Sequence, residues 1–170
     1  MNSLAILGAS GHGRVLADMA ECCGWQSIVF FDDTPGLKHS GAWPIVGNSN
    51  DLRMRAGDFD GVIVAIGDNI IRHTKLLELQ IAGAHLATLI HPSANVSRYA
   101  HIDVGCAICA GAVVSAYARI GPGSILNTRC SVDHDCVLGA AVHIRPEANI
   151  RQITQIGSAV TIGAEAKLLW

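Results

Sequence analysis

The order of hydrophobic and polar positions divides the chain near residue 90 into two parts of different periodicity. In the first part, residues 4–7, 27–31 and 62–66 form short apolar runs, and glycine or aspartate ends each run. Runs of this length without alternation are typical of strands that are buried on both faces of a sheet. These three segments are therefore predicted to be strands.

Two segments between the strands have helical periodicity, residues 14–23 and 69–82. In the first, the side chains predicted to face inward are Val15, Leu16, Met19 and Cys22 or Cys23. Residues 34–50 are rich in glycine and proline and are predicted to be a loop. Strands separated by helices predict a parallel sheet with right-handed crossovers, in which the carboxyl ends of the strands share one edge.

The second part repeats every six residues. Each sixth residue from Ile90 to Leu168 is aliphatic, and the residue four places later is small or β-branched from Ala94 to Ala166. Two matched columns without a slip in register are the signature of a hexapeptide repeat, which predicts a parallel β-helix. Each hexad would form one flat face of a triangular coil, with the aliphatic side chain inside it.

This repeat resembles the left-handed β-helix of hexapeptide acyltransferases, an exception to the right-handed crossover rule. In that fold three hexads complete one coil, so residues n and n+18 stack. The predicted fold is a small Rossmann-like βαβ domain over residues 1–88, followed by a left-handed parallel β-helix of hexapeptide repeats over residues 89–170.

Composition excludes several classes of protein. The chain has 170 residues, of which 12 are Lys or Arg and 14 are Asp or Glu, so the net charge of −2 argues against binding to nucleic acid. Half of the residues are hydrophobic, which argues against disorder. No apolar stretch is long enough to predict a membrane span, and the first residues lack the features of a signal peptide. These observations predict a cytoplasmic protein whose six cysteines are buried thiols rather than a disulfide framework.

The first candidate site is the loop 8–13, GASGHG, between the first strand and the first helix. Glycines let the backbone approach a phosphate, and helix N-terminal N–H groups bind it. Asp32 and Asp33 end the second strand, where a carboxylate can accept hydrogen bonds from ribose hydroxyls. A tight turn without a ligand is the alternative interpretation. A redox dinucleotide site is disfavoured because the domain is short.

A second candidate group follows the strand at 62–66 and would lie at the same sheet edge. It contains Gly67, Asp68 and Asn69, with Arg72 one helical turn later. Arg72 has the chemistry to bind a phosphate or carboxylate, and the alternative is a solvated surface arginine. Asn69 is equally well explained as a helix cap.

The third candidate site is the segment around His134, which is the third residue of its hexad and is predicted to lie outside the coil. Asp133 and Asp135 flank it and have the chemistry to orient the imidazole, as a general base requires. His143 is predicted at a corner of the following hexad. The alternative is two ordinary surface histidines. Cys106 and Cys109 are half of a zinc pattern without a second half, and the histidines show no stacking at 18 residues, so no metal site is predicted.

Five motifs in order are similar to one family: GASGHG, DD after the second strand, AIGDNIIR, LIHPSANVS and NTRCSVDHDCVLGAAVHI. They resemble the sialic-acid and amino-sugar O- or N-acetyltransferases, in which a nucleotide-sugar-binding domain precedes a left-handed β-helix. The similarity covers about residues 3–150. It implies transfer of acetyl from acetyl-CoA to an amino or hydroxyl group of a bacterial surface sugar, either nucleotide-linked or free, by a homotrimer that needs no metal.

The resemblance also implies roles for individual residues. His134 matches the catalytic base and Asp135 its acidic partner, while His143 and Asn127 match residues near the acetyl-CoA. The positions implied to bind the nucleotide sugar, together with the second candidate group, are Gly8, Ser10, Gly11, His12, Gly13, Asp32, Asp33, Gly67, Asn69 and Arg72.

Two features depart from the family pattern. Gln152, at 134 + 18, places a long side chain in the His134 column, and the chain ends at Trp170, earlier than in family members. Residues 168–170 are apolar and would cap the open end of the coil. The alternative function is therefore a catalytically silent trimer that binds a sugar nucleotide and has lost coils that bind CoA.

Overall fold

A computed structural model describes residues 2–168. The chain divides after Ala87 into two compact units, and each unit has its own hydrophobic core. Residues 169 and 170 of the predicted apolar cap lie outside the described residues.

The N-terminal unit alternates strands and helices around one sheet. Its elements are β1 (Ser3–Leu7), α1 (Gly11–Cys22), β2 (Ser27–Phe31), β3 (His39–Ser40), β4 (Trp43–Gly47), α2 (Ser49–Met54), a 3₁₀ turn (Ala56–Asp58), β5 (Gly61–Val64) and α3 (Asn69–Ile81).

The sheet has the order β3-β4-β2-β1-β5, and all its pairs are parallel except β3 with β4. The central strand β1 has neighbours on both sides, and its residues Leu4, Ala5 and Ile6 are fully buried. A strand that is covered on both faces has no polar side to alternate with, which explains its continuous apolar run. The predicted parallel arrangement of β1, β2 and β5 is confirmed.

The first helix differs from the sequence prediction in its start and in part of its buried face. It begins at Gly11, and its buried side chains are centred on Leu16 and Met19. Val15 is 48% exposed, and Cys22 and Cys23 are exposed, so their predicted inward orientation was wrong. A helix on a sheet buries one stripe of its surface; Val15 and Cys22 lie off that stripe, and Cys23 follows the last turn.

The segment predicted to be a loop, 34–50, contains the short hairpin of β3 and β4 and the start of α2. Gly41 has a φ of 63° and makes the turn of this hairpin possible. Trp43 then packs edge-on against Phe30, with ring centroids 6.3 Å apart. The loop prediction was wrong because turn residues dominate the composition of so short a hairpin.

The second unit consists of short parallel strands stacked in three sheets. The strands are β6 (Leu89–Ile90), β7 (Asn95–Val96), β8 (His101–Ile102), β9 (Ala107–Ile108), β10 (Val113–Val114), β11 (Arg119–Ile120), β12 (Ile125–Leu126), β13 (Ser131–Val132), β14 (Val137–Leu138), β15 (His143–Ile144), β16 (Asn149–Ile150), β17 (Gln155–Ile156), β18 (Thr161–Ile162) and β19 (Lys167–Leu168).

Every third strand belongs to the same sheet, in the orders β19-β16-β13-β10-β7, β17-β14-β11-β8 and β18-β15-β12-β9-β6. Paired residues are 18 apart, as in Val114 with Val132. The predicted fold class, a small α/β domain followed by a left-handed β-helix, is confirmed.

The interior of the coil contains the two predicted columns. Ile108, Val132 and Ile144 are fully buried, and so are the thiols of Cys106 and Cys130, which pack as small apolar groups. Ile90 belongs to the aliphatic column but is 39% exposed, because the first coil has a neighbour on one side only. Burial raises the pKa of Cys109 to about 11 and that of Cys130 to about 12, so both thiols are protonated and chemically inert at neutral pH.

Candidate active site and nucleotide-binding edge

Three strands of the N-terminal unit end side by side and bring their following loops together. Leu7 is in register with Phe31 on one side and with Val64 on the other. The Gly8 N–H donates to the Phe31 carbonyl at 2.8 Å, and the Ala65 N–H donates to the Leu7 carbonyl at 2.7 Å. The predicted shared edge therefore exists, and ligands of open parallel sheets bind at such an edge.

The glycines of the loop 8–13 have two different roles. A Cβ atom on Gly13 would lie 2.1 Å from the Gly8 carbonyl oxygen, so this glycine allows α1 to pack against the turn. Gly8 has a φ of 107° and is also closely surrounded. Gly11 has nothing within 4 Å of the position of a Cβ, and Ser10 before it is exposed. The open part of the loop is thus the N-terminus of α1 at residues 10–11.

Asp32 and Asp33 both stabilise loops at this edge. Asp32 accepts the Ala9 N–H at 2.7 Å and the Thr34 N–H at 2.9 Å. Burial by itself would raise the pKa of Asp32, but these hydrogen bonds outweigh it and hold the pKa below its ordinary value. Asp33 accepts the Ser49 N–H at 2.8 Å. Each carboxylate has further lone pairs, so acceptance from a ribose hydroxyl stays a prediction.

Arg72 is buried, with 1% of its surface exposed, so the alternative of a solvated surface arginine is wrong. Its guanidinium donates to the Ile66 carbonyl at 2.9 Å, to the Gly67 carbonyl at 3.2 Å and to Asn69 Oδ1 at 2.8 Å. The cap of α3 is Asp68, whose carboxylate accepts from two helix N–H groups, so the interpretation of Asn69 as the cap was wrong. A phosphate contact of Arg72 stays a prediction; its observed contacts hold the turn after β5.

Sequence reasoning missed one side chain at this edge, Ser40, and the capping role of another, Asp68. Ser40 is buried and donates to the Ala9 carbonyl at 2.6 Å, and Asp68 caps α3. Asp68 was detectable from its position before the helical segment, because aspartate is among the strongest N-cap residues. Ser40 gave no sequence signal, because it depends on the unpredicted strand β3.

His12 lies in the first turn of α1 and is kept neutral by its surroundings. Burial, and after it the positive charge of Arg72, lowers the pKa of His12 from 6.5 to about 4. At neutral pH this imidazole is therefore an uncharged hydrogen-bonding group beside a guanidinium.

The low pKa of His12 predicts a loss of stability in mild acid. The unfolded chain takes up a proton at His12 near pH 6.5, whereas the folded chain does so only near pH 4. The stability from neutral His12 is therefore fully present above pH 6.5 and is lost as the pH falls toward 4. When the pH falls from 7.5 to 5, the free energy of unfolding of the N-terminal unit should decrease by about 2 kcal/mol more in the wild type than in His12→Gln.

Urea unfolding at both pH values, followed by the fluorescence of Trp25 and Trp43, measures this difference. Both tryptophans belong to the N-terminal unit. Equal pH dependence in the wild type and the variant would contradict a neutral folded-state His12.

The segment around His134 forms a corner turn between β13 and β14. His134 Nδ1 lies 2.7 Å from Asp135 Oδ2, and the His134 N–H donates to Asp133 Oδ1 at 2.8 Å. Both side chains of the His134–Asp135 pair are about half exposed. The predicted position outside the coil is confirmed. Since Nδ1 faces the carboxylate, Nε2 is the nitrogen directed to other partners.

The corner turn has a strained backbone at Asp135. Its φ is 59°, in the left-handed region that aspartate and asparagine adopt more readily than most residues. The next coil lies directly below, because the Ile153 N–H donates to the His134 carbonyl at 3.1 Å. This stacking confirms that residue 152 belongs to the His134 column.

His143 does not lie at a corner, as the sequence analysis expected, but in strand β15, and it is only 8% exposed. The corner prediction was wrong because each strand consists of the aliphatic residue of the repeat and the residue before it. His143 directly precedes the aliphatic Ile144 and is therefore part of a strand. Asn127 follows β12 and is half-buried, and its Oδ1 accepts the Thr128 N–H at 2.8 Å.

The residues implied to act on acetyl-CoA lie on two sides of the coil. The turn of His134 and Asp135 joins the sheet of β13 to the sheet of β14, whereas His143 belongs to the third sheet. In a triangular coil, the corner between two sheets lies opposite the third sheet, so the His134 corner lies opposite the sheet that contains His143. A single chain therefore does not bring His134 and His143 together.

Within residues 2–168, no group of three or more His, Cys, Asp or Glu side chains is arranged to hold a metal ion. The helices of this part of the chain are all too short or too polar to cross a membrane.

Comparison with known proteins identifies relatives of both units. The sequence profile of the PglD N-terminal domain matches residues 3–79. The acetyltransferase domain of PglB from Neisseria gonorrhoeae FA1090, solved with acetyl coenzyme A, is 38% identical, with a TM-score of 0.85 over 96% of this chain and 89% of that domain.

A histidine mutant of perosamine N-acetyltransferase from Caulobacter crescentus, solved with CoA and GDP-perosamine, is 29% identical. Its TM-score is 0.87, over 99% of this chain and 89% of that one. The bifunctional protein GlmU of Jannaschia sp. (strain CCS1) is 29% identical over 109 residues, or 64% of this chain. The match spans only 23% of that larger protein.

Proposed function

The chain belongs to the hexapeptide-repeat sugar acetyltransferases with a PglD-type N-terminal domain, and we propose that it acetylates an amino or hydroxyl group of a nucleotide-linked sugar. The acetyl donor is acetyl-CoA, the ligand of the similar PglB domain. The acceptor class follows the GDP-perosamine bound by the similar perosamine enzyme. Because acetyl-CoA and nucleotide sugars are made in the cytoplasm, we place the reaction there.

The observation that carries this proposal is the hydrogen bond of 2.7 Å between His134 and Asp135 at an exposed corner. Asp135 fixes the imidazole so that its Nδ1 carries the proton and its Nε2 is free to accept one. An amine or hydroxyl that reaches Nε2 loses its proton as its nitrogen or oxygen bonds to the acetyl carbon. The proton held at Nε2 then neutralises the thiolate that leaves, so atoms and charge balance.

Acetyl-CoA supplies an activated acetyl group when it is bound, and the chain supplies position and proton transfer. Asn127 and His143 are the residues that we expect beside it. Asn127 is a partly buried residue, and His143 has a small exposed fraction in β15.

We expect the nucleotide part of the acceptor to bind at the sheet edge of the N-terminal unit. The open N-terminus of α1 at Ser10 and Gly11 presents backbone N–H groups, which suit the phosphate nearest the nucleoside. Neutral His12 adds a hydrogen-bonding group, and Asp32 adds a carboxylate that stays ionised. These features support the prediction for the loop 8–13 over a turn without a ligand.

A homotrimer is the assembly that we propose. His134 and His143 lie on opposite sides of one coil, so one site can contain both only if two copies contribute. Head-to-tail contacts that close into a ring of three would repeat the same composite site at each interface.

Release of the CoA thiol during incubation with acetyl-CoA and an acceptor panel tests the function. The panel contains GDP- and UDP-linked 4-amino sugars and the corresponding 4-hydroxy sugars. Thiol release should depend on both acetyl-CoA and one acceptor class. A chain that binds nucleotide sugars but releases no thiol with any acceptor would be the catalytically silent protein instead.

A further inference from the structure

The β-helix has a cavity of about 430 Å³ against the outer side of Asp135. It is called the corner cavity here, and it is lined by Tyr99, His101, Tyr117, Arg119, Asp135 and Val137 among others. All of these residues belong to the second unit. Because Asp135 also binds the His134 imidazole, the cavity adjoins the group proposed as the general base.

The repeat itself brings these residues together. Tyr99, Tyr117 and Asp135 are spaced by 18 residues and occupy the same corner turn in three successive coils. The Tyr117 N–H donates to the Tyr99 carbonyl at 3.3 Å, which links the first two. On the adjoining sheet, Arg119 pairs with His101 and with Val137. The corner column thus supplies the two tyrosine rings, and the strand column supplies the hydrogen-bond donors of His101 and Arg119.

The two tyrosines form an exposed aromatic surface. Their ring centroids are 5.7 Å apart with an angle of 27° between the planes, and the residues are 58% and 61% exposed. The Arg98 guanidinium lies 5.4 Å from the Tyr99 ring centroid and helps to hold it. Large exposed aromatic side chains beside a few polar groups are typical of a ligand site.

The chemistry of the corner cavity suits a sugar that carries a phosphate. The C–H face of a pyranose packs on an aromatic ring, and a guanidinium is the side chain best suited to a phosphate. The volume is within the range of small-molecule sites. The adenine and phosphates of CoA would also suit these side chains, but they lie at the end of that molecule remote from its acetyl group. The cavity instead adjoins Asp135 beside the proposed general base, where the acceptor sugar must lie.

We propose that the corner cavity binds the sugar ring of the acceptor on Tyr117, with Arg119 donating to the phosphate nearest the sugar. This inference rests on the proposed function and names the acceptor subsite of the same catalytic centre. It makes Tyr117 and Arg119 specificity-determining residues, which select a sugar phosphate at the place where His134 removes a proton.

Calorimetric titration with GDP-perosamine, GDP and acetyl-CoA tests the proposal on the 170-residue chain. A UDP-linked 4-amino sugar and UDP replace the guanosine pair if the wild type prefers uridine. Tyr117→Leu should weaken binding of the nucleotide sugar about tenfold and leave the nucleoside diphosphate unchanged. Arg119→Met should weaken both, and neither variant should change the affinity for acetyl-CoA.

Two features make the variants interpretable. Leucine, like tyrosine, is not β-branched, so Tyr117→Leu adds no new strain at a φ of 62°. Arg129→Met is the matched control, because Arg129 is an exposed arginine with a φ of 58° at a different corner. It should bind all three ligands as the wild type does.

Four results would overturn the proposal. Unchanged nucleotide-sugar binding in Tyr117→Leu, with an active wild type, would remove the subsite and leave the function standing. Weaker binding of acetyl-CoA alone would assign the cavity to the donor. A lower oligomer mass by light scattering would make the tyrosine corner a contact between subunits. A wild type that binds no nucleotide sugar would overturn the acceptor class as well.

Discussion

Replacing His134 by alanine should lower the turnover number on the order of a hundredfold to ten-thousandfold, the usual contribution of a positioned general base. The reason is that His134 Nε2 is the proton acceptor left open once Nδ1 faces Asp135 at 2.7 Å. Because the change removes a group that acts in the chemical step, the KM for acetyl-CoA should stay within about twofold. Steady-state kinetics of thiol release in both substrates measures the two effects separately.

The two aspartates that flank His134 provide a matched control for this result. Asp135→Asn should lower turnover by about tenfold to a hundredfold, because an amide no longer stabilises the imidazolium or fixes its tautomer. Asp133→Asn should retain nearly full turnover, since its side chain contacts the backbone N–H of His134 and asparagine keeps that acceptor. Asparagine also tolerates the left-handed backbone at 135. Equal loss in both aspartate variants would indicate a general charge effect rather than a catalytic pair.

Mixed oligomers of His134→Ala and His143→Ala chains should recover activity that neither variant has alone. The expected level is about one quarter of wild-type activity, because random assembly gives that share of interfaces an intact His134 from one chain and an intact His143 from the next. The physical reason is the placement of the two side chains, one at the corner after β13 and one on the third sheet. Co-expression of the two chains in equal amounts, with purification through one tag common to both, gives this random mixture, and mass spectrometry of the intact chains verifies the ratio.

A second mixture calibrates this measurement. Wild-type chains mixed with the double variant His134→Ala/His143→Ala should also give about one quarter of full activity, because only interfaces between two wild-type chains are intact. Recovery in the calibrating mixture but not in the complementing mixture would mean that His134 and His143 act within one chain. That result would contradict a site shared between copies.

The β-helix was predictable in detail because its geometry is periodic. A coil of 18 residues leaves no choice of register, so the burial of Val132 and the exposure of His134 both follow from counting. The stacking of Tyr99, Tyr117 and Asp135 was available from the same count. What the count does not give is the chemistry of a column, which depends on neighbours in the adjoining sheet such as Arg119.

The N-terminal unit was predictable only where its signals were long. The strand runs and α3 were clear, but β3 and β4 were hidden in a segment dominated by turn residues. The role of Arg72 was not readable, because a buried arginine that holds backbone carbonyls and a surface arginine are the same letter in a sequence. The burial of His143 was also not predictable, because it depends on the tertiary surroundings of the side chain and not on its position in the hexad.

The central claim is that the His134–Asp135 corner transfers acetyl from acetyl-CoA to a nucleotide-linked sugar. Mass spectrometry of the nucleotide sugar after incubation with acetyl-CoA that carries a labelled acetyl group tests it most directly. The wild type should convert the amino sugar to a product with one labelled acetyl group, and His134→Ala at equal concentration should form almost none. An unlabelled sugar with the wild type, or equal product from both proteins, would contradict the account.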